Sequence, residues 1–233
     1  HDIQLFIFSS TYSSKMFAPR LSVKLNSSIF TNVVELPSSL YPLKVKKKVF
    51  SSKAFEIAKS VSEKNIIMLH PNSYGVKEFS FDLQSSEFTT ESKSEIEIIN
   101  TEKSSGKVNL SEADIVVSAG RGMKGPENWK LIEDLANSLN AATACSKPVS
   151  DIGWRPHSEH VGQTGKTVAP NLYFAIGISG AIQHLAGVNS SKVMVAINTD
   201  PEASFFKAAH YGIVGDAFNV VPKLIEEIKK IKN

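Results

Sequence analysis

From Ala113 onward, short apolar runs alternate at a steady spacing with longer stretches whose apolar residues recur at helical period. The short runs predict buried strands at Ile115 to Ala119, Ala141 to Cys145, Leu172 to Ile178, Lys192 to Ile197 and Ile213 to Gly215. The longer stretches predict helices at Pro126 to Leu139, Ala181 to Ala186, Pro201 to His210 and Val221 to Ile231, with Ser146 to Thr167 left as a long loop. Pro126 suits a first helical turn, and Val221, Leu224, Ile225, Ile228 and Ile231 form one stripe, read first as core contact and second as a partner groove. Strand and helix in regular alternation imply an α/β fold with a doubly wound parallel sheet, in which ligands bind beyond the carboxyl ends of the strands.

The first half is less regular. Gln4 to Ser9 reads as a strand, Lys15 to Leu25 as a helix, and Ile29 to Leu36, Lys44 to Phe50 and Asn65 to Leu69 as β-like runs, with Lys53 to Glu63 helical between the last two. Ser85 to Ser94 is rich in Ser, Thr and Glu, which marks a linker or surface excursion, and Glu95 to Asn100 suggests one edge strand. The boundary is expected near Lys103 to Glu112. Residues 1–108 would then form a partial N-terminal α/β domain with a polar linker, and residues 109–233 a ligand-binding domain. The chain begins at His1, inside a strand-like run and without an initiator methionine, so a portion upstream of it is expected.

Composition narrows the function classes. Of 233 residues 42% are apolar, ample for a buried core, and the net charge of +3 is only mildly basic. Lys46-Lys47-Lys48 reads as a solvated turn without aromatic interleaving, so no nucleic-acid partner is expected. No apolar run reaches the length of a membrane span, and the start lacks a basic n-region and cleavage site, so neither membrane insertion nor a signal peptide is expected. The one cysteine, Cys145, excludes an intrachain disulfide framework and reads as a small residue ending a buried strand in a protein of a reducing compartment.

Small and polar residues concentrate at Val161-Gly162-Gln163-Thr164-Gly165-Lys166-Thr167, a loop able to bring backbone N–H groups close to a ligand. It is not a Walker phosphate loop, because His160 stands where the first glycine belongs and no strand precedes it. A second candidate follows the predicted strand ending at Ile178. Ser179 is placed as N-cap of a short helix closed by Gly187 at C′, and a helix N-terminus of this kind offers unpaired N–H groups to an anion. A third is Gly120-Arg121-Gly122-Met123-Lys124-Gly125, which matches the G-x-G-x-x-G dinucleotide pattern. The next strand, however, ends in Ser146-Lys147 rather than the acid that a nicotinamide site uses for its ribose. Arg121 adds a guanidinium suited to bidentate phosphate contact. Asn198 and Asp216 close later strands and could equally be turn residues or N-caps. His184 could be a packed histidine, and Trp154 reads as a packing anchor. No Ser/His/Asp, metal-ligand or paired-carboxylate constellation is apparent.

Four blocks in order, Val161-Gly-Gln-Thr-Gly-Lys, Gly177-Ile-Ser-Gly-Ala-Ile-Gln-His, Ala196-Ile-Asn-Thr-Asp-Pro-Glu-Ala and Tyr211-Gly-Ile-Val-Gly-Asp, resemble the alpha subunit of electron transfer flavoprotein. The resemblance runs from about Ala113 to the C-terminus and is fainter before it. It implies that FAD is the cofactor, with Arg121, Ser179, Gly180, Ala181 and Ile182 at the diphosphate. Asn198 and Asp216 would lie near the adenosine end, and Ser146, Lys147, Gln163, Thr164 and His184 at the flavin ring. Val161, Gly162, Gln183 and Ala217 complete the implied cofactor-binding set. At Lys147 the family ordinarily has arginine. The implied function is that of the FAD-carrying subunit of a heterodimer with a beta subunit, without a substrate of its own. It would accept electrons from flavoprotein dehydrogenases of the acyl-CoA type and pass them to a membrane quinone reductase, in the mitochondrial matrix or, alternatively, the bacterial cytoplasm. A nicotinamide-binding oxidoreductase and a redox-silent binding subunit are the other readings of the same fold.

Overall fold

The computed structural model describes residues 3–75 and 108–232, together with 78–80, 82, 85, 87, 89, 96–97 and 99–100. Two sheets result. The first takes β1 (Leu5–Ser9), β2 (Ser28–Val33), β3 (Ser39–Leu40), β4 (Leu43–Val49), β5 (Ala54–Ser60) and β6 (Asn65–Leu69), with helix α1 (Tyr12–Leu25) between β1 and β2. Its order is β1-β6-β2-β4-β3, with β5 on β4; β1, β6 and β2 run parallel and the rest antiparallel.

The second sheet carries the candidate site. It takes β7 (Ile115–Ala119), helix α2 (Lys130–Leu139), β8 (Ala142–Cys145), helix α3 (Lys147–Asp151), β9 (Leu172–Ile176), helix α4 (Ile182–Val188), β10 (Val193–Asn198), β11 (Tyr211–Val214) and helix α5 (Ala217–Lys232). All five strands are parallel in the order β11-β10-β9-β7-β8. The chain leaves β7 towards one edge and β9 towards the other, so the order reverses between these two neighbours, and a crevice opens beyond their carboxyl ends.

Successive side chains of a strand point to opposite faces, and the core divides accordingly. Val117, Phe174 and Ile176 pack with Ile132 and Leu135 of α2 and Val221 of α5. Val116, Tyr173 and Ala175 pack on the other face with Val161, Val188 and Phe205. The ligand loop and α4 thus share one face of the sheet, while the long amphipathic helices cover the other. Leu224, Ile225 and Ile228 join the first cluster, whereas Ile231 at the end of the expected stripe is 85% exposed. Trp154 packs into the same cluster, as its reading as an anchor requires.

Several local expectations are corrected. Lys53 to Glu63 is not helical: Ala54 to Ser60 pairs residue for residue with β4, and Lys47 faces Glu56 across the ladder, so cross-strand pairing overrides a helix-compatible composition. Ser146 to Thr167 is not all loop, since it contains α3 and a 3-10 turn, His157–Glu159. The expected helix Pro201 to His210 is only a 3-10 turn, Ser204–Lys207, because Asn198 and Asp200 side chains accept from Asp200 and Glu202 N–H groups in successive local turns. Strand β9 stops at Ile176, as Gly177 adopts φ +60°. Ser179 does not cap α4; that position is Ala181, and Gly187 lies within the helix rather than after it. The start of Pro126 to Leu139 is 3-10, Pro126–Trp129. Helix α5 starts before Val221 because the Asp216 carboxylate accepts from Phe218 N at 3.0 Å. The expected linker, edge strand and boundary fall largely outside the described residues.

Polar contacts join the two sheets. His70 Nε2 lies 2.8 Å from the Ser190 hydroxyl, which also meets that of Ser52 at 2.9 Å. Asn72 Nδ2 donates to the Ala169 carbonyl at 2.9 Å and to Asn171 Oδ1 at 3.0 Å. Burial, then the nearby Lys48 and Lys15 charges, push the His70 pKa down to about 4.

Candidate functional site

Because the five strands of the second sheet are parallel, each delivers its following turn to the same edge. Arg121 follows β7, Ser146 and Lys147 follow β8, Ser179 to His184 follow β9, Asn198 ends β10, and Asp216 and Ala217 follow β11. Two glycine turns meet at the crevice. A Cβ on Gly122 would lie 2.6 Å from Gly177 Cα, and Gly122 N–H donates to the Gly177 carbonyl at 3.2 Å. Only glycine permits this approach, which holds Arg121 beside the turn carrying Ile178 and Ser179.

The ligand loop reaches the same edge by another route. Val161 N–H donates to the Cys145 carbonyl at 3.0 Å, Gln163 N–H to the Gln183 carbonyl at 2.7 Å, and Lys166 N–H to the His160 carbonyl at 2.8 Å. Gly162 and Gly187 touch directly, since a Cβ on Gly187 would lie 2.5 Å from Gly162 Cα. The loop is therefore docked on α4 by backbone contacts and by the buried Val161 side chain, leaving Gln163 and Thr164 exposed. Below it the Arg155 guanidinium binds Glu159 at 2.6 Å and Glu133 at 3.1 Å, over the Trp129 ring. This network fixes the segment leading into the loop, and its carboxylates hold the Arg155 pKa above its usual value.

Arg121, Lys147, Gln163, Thr164, Ser179, Ala181, Ile182 and Gln183 are exposed, whereas Ser146, Val161, Gly162, Gly180, His184 and Ala217 are buried. Asn198 and Asp216 act as braces. Asn198 Nδ2 donates to the Ile178 carbonyl at 3.1 Å, and the second Asp216 oxygen meets Lys124 Nζ at 3.3 Å. The Phe218 N–H, and then Lys124, hold the Asp216 carboxyl below its ordinary range. Lys124, which also lies over the Phe218 ring, ties the Arg121 turn to α5; its signal in the sequence was its place inside the glycine pattern.

His184 is turned inward. Its Nε2 is 3.0 Å from the Tyr173 hydroxyl, and burial pushes its pKa down to about 4. This contact does not show in the sequence, where Tyr173 sits in an apolar run and the only hint is a phenol that must find a partner once buried. Cys145, buried at the end of β8, has its thiol pushed up to about 12 by burial and is inert.

The donors gathered here are a guanidinium, an ammonium, a hydroxyl and the first backbone N–H groups of α4. That set fits an anionic, carbonyl-bearing cofactor such as FAD. It lies on an open surface. Two concavities elsewhere among the described residues, of about 450 Å³ beside Glu133 and Lys166 and about 670 Å³ between α2 and α5, include none of the expected cofactor residues. Among the described residues no cluster of three or more His, Cys, Asp or Glu could hold a metal ion, and no helix is long and apolar enough to cross a membrane.

Residues 109–189 match the electron transfer flavoprotein FAD-binding domain. Over 97% of its length the chain is 38% identical to electron transfer flavoprotein subunit alpha of Bacillus subtilis, of which it covers 70%. It is 57% identical over 56% of its length to the mitochondrial alpha subunit of Dictyostelium discoideum, covering 37% of that protein. Over 53% of its length it is 52% identical to protein FixB of Azotobacter vinelandii, covering 34%.

Proposed function

This chain belongs to the electron transfer flavoprotein alpha-subunit family, and on that premise we propose that it carries FAD on the carboxyl edge of its second sheet, in a heterodimer with a beta subunit. The observation that carries the reading is the convergence of Arg121, Ser146, Lys147 and Ser179 to His184 on the one edge where the strand order reverses, with the Gln163–Thr164 loop docked beside them by the Gln163 N–H bond to Gln183.

Arg121 and the N–H groups around Ala181 and Ile182 hold the diphosphate, while Ser146, Lys147, Gln163, Thr164 and His184 line the ring. Asn198 and Asp216 shape the adenosine end by bracing the turns of β9 and β7 rather than by free side-chain contact. When bound, FAD supplies the redox chemistry. The chain's own residues orient it and set its potential, Lys147 by placing positive charge at the pyrimidine edge and Thr164 by a hydroxyl near the ring. Because these side chains lie on an open surface, the beta subunit completes the enclosure.

In this role the protein is an electron carrier without its own substrate, taking electrons from flavoprotein dehydrogenases of the acyl-CoA type and passing them to a membrane quinone reductase. The mitochondrial matrix is its place, or the cytoplasm in a bacterium. The test is co-expression with the beta subunit, followed by absorbance spectra and analysis of released nucleotides. One FAD per heterodimer, reducible through an acyl-CoA dehydrogenase and much weaker on the isolated chain, is the expected result; a flavin-free heterodimer would overturn the proposal.

A further inference from the structure

We infer that His160 is a positioning residue for the ligand loop: its uncharged imidazole fills the inside of the loop and holds Gln163 and Thr164 at the flavin end of the site, so that acid loosens the loop. The inference rests on the FAD-carrying reading above. His160 enters the loop from the 3-10 turn His157–Glu159, where its N–H donates to the His157 carbonyl at 3.1 Å. Its own carbonyl accepts from Lys166 N–H at 2.8 Å, which closes the loop across its neck. Within the loop, Gly162 N–H donates to the Lys166 carbonyl at 3.1 Å and Gly165 N–H to the Gly162 carbonyl at 3.2 Å. The imidazole is set against this backbone. A Cβ on Gly165 would lie 2.8 Å from both Cγ and Nδ1 of the ring, and one on Gly162 would lie 3.3 Å from Nε2. The ring thus takes the space that side chains at these two positions would need, and the residue is only 7% exposed. Gln163 and Thr164, both exposed, lie between the two glycines that it supports.

Neither ring nitrogen hydrogen-bonds a protein group among the described residues. Packing alone can hold a neutral imidazole, whereas imidazolium brings two N–H donors and a charge into a place without partners for them. The titratable groups around it are Lys147 and Asp151 of α3, His157 of the 3-10 turn and His184 of α4, while Glu159 is taken by Arg155. Burial holds the His160 pKa below 6.5; Lys147 and His157 act in the same sense, and Asp151 opposes them. A docked ring that resists a proton makes docking complete above pH 6.5 and progressively lost as the pH falls through the lower docked value. The released loop would carry Gln163 and Thr164 away from the edge to which the Gln163 N–H bond to the Gln183 carbonyl, at 2.7 Å, otherwise ties them.

The test uses the heterodimer as wild type, His160→Gln and His160→Ala, with FAD dissociation and amide hydrogen exchange of residues 161–167 as readouts. Glutamine has a similar reach and no charge to gain, and alanine leaves the inside of the loop empty. At about pH 7.5, His160→Ala should weaken FAD about tenfold and speed exchange in the loop, while His160→Gln stays within about threefold of wild type in both. As the pH falls from about 7.5 to about 5.5, wild type should lose several-fold more FAD affinity than His160→Gln. His70 and His184 are present in both proteins, so that difference belongs to residue 160. Wild-type protection of the loop in His160→Ala would overturn the inference, as would equal acid losses in wild type and His160→Gln. Should the alanine protein fail to fold, the comparison of wild type with glutamine decides the matter. A wild-type heterodimer without FAD would sink the functional reading instead, and loop exchange in wild type and His160→Gln over the same pH range would still decide the role of His160.

Discussion

Lys147, where the resemblance leads one to expect arginine, stands exposed at the first position of α3, close enough for its charge to lower the His160 pKa after burial has done so. An ammonium keeps the positive charge of arginine but has neither the fork nor a flat face to lie against a ring. We therefore expect Lys147→Arg to hold negative charge on the reduced ring more strongly and to raise the flavin potential by roughly tens of millivolts. Superimposable redox titrations of the two heterodimers would show that Lys147 faces solvent. Thr164→Ala should likewise leave the fold intact and shift the potential by the loss of one polar partner, about 1 kcal/mol. An unchanged potential at full occupancy would place that hydroxyl elsewhere. Arg121, Gln163 and Thr164 stand out in the sequence as candidates because a glycine turn has few other reasons to carry them. The contact of Tyr173 with His184 does not show there, since a hydroxyl inside an apolar run gives no sign of what it will face.

Among the elements, α4 and the ligand loop form the least replaceable contact. Alanine in a helix interior ordinarily adds about 1 kcal/mol over glycine. At Gly187 the new methyl would strike the Gly162 backbone, so Gly187→Ala should instead cost about 1–3 kcal/mol as the loop is forced off the helix. Urea unfolding reads the sign directly, and a stabilised variant would show that the two backbones can part freely. Below the same loop, Arg155→Ala leaves Glu159, whose side chain is 13% exposed, without its partner. A loss of roughly 3 kcal/mol is expected, and a loss under about 1 kcal/mol would mean that water replaces the guanidinium. The strands of the second sheet were legible as apolar runs, and α2 from Ile132, Leu135 and Ala136 at helical spacing. β5 is set by its hairpin pairing with β4, and the turn at Ser204 by the Asn198 and Asp200 side chains and the Ser179 carbonyl; these are contacts that helical or strand-like composition does not reveal.

For the whole molecule, acid should loosen the fold partly through histidine. His70 has an ordinary pKa of 6.5 and a folded value of about 4. Between these values the unfolded chain binds a proton that the folded chain excludes, so stability is complete above pH 6.5 and is lost as pH falls towards 4. His184 acts in the same sense. His70→Gln, which can still bond Ser190, should flatten the decline in urea midpoint between pH 7 and 5 relative to wild type; parallel declines would exclude His70 as a cause. Strand β11 has a different consequence for the molecule. It pairs only with β10 among the described residues, and all four of its residues, Tyr211 to Val214, are exposed, with Tyr211, Ile213 and Val214 supplying the side chains. An uncovered apolar strand edge is a template for more strand, so the chain purified alone should self-associate with rising concentration, at a rate that light scattering can follow. Ile213→Lys should suppress that scattering while leaving the monomer's circular dichroism unchanged. If that scattering is seen, the edge of a sheet that matters little to a single molecule sets the concentration at which the chain can be kept alone.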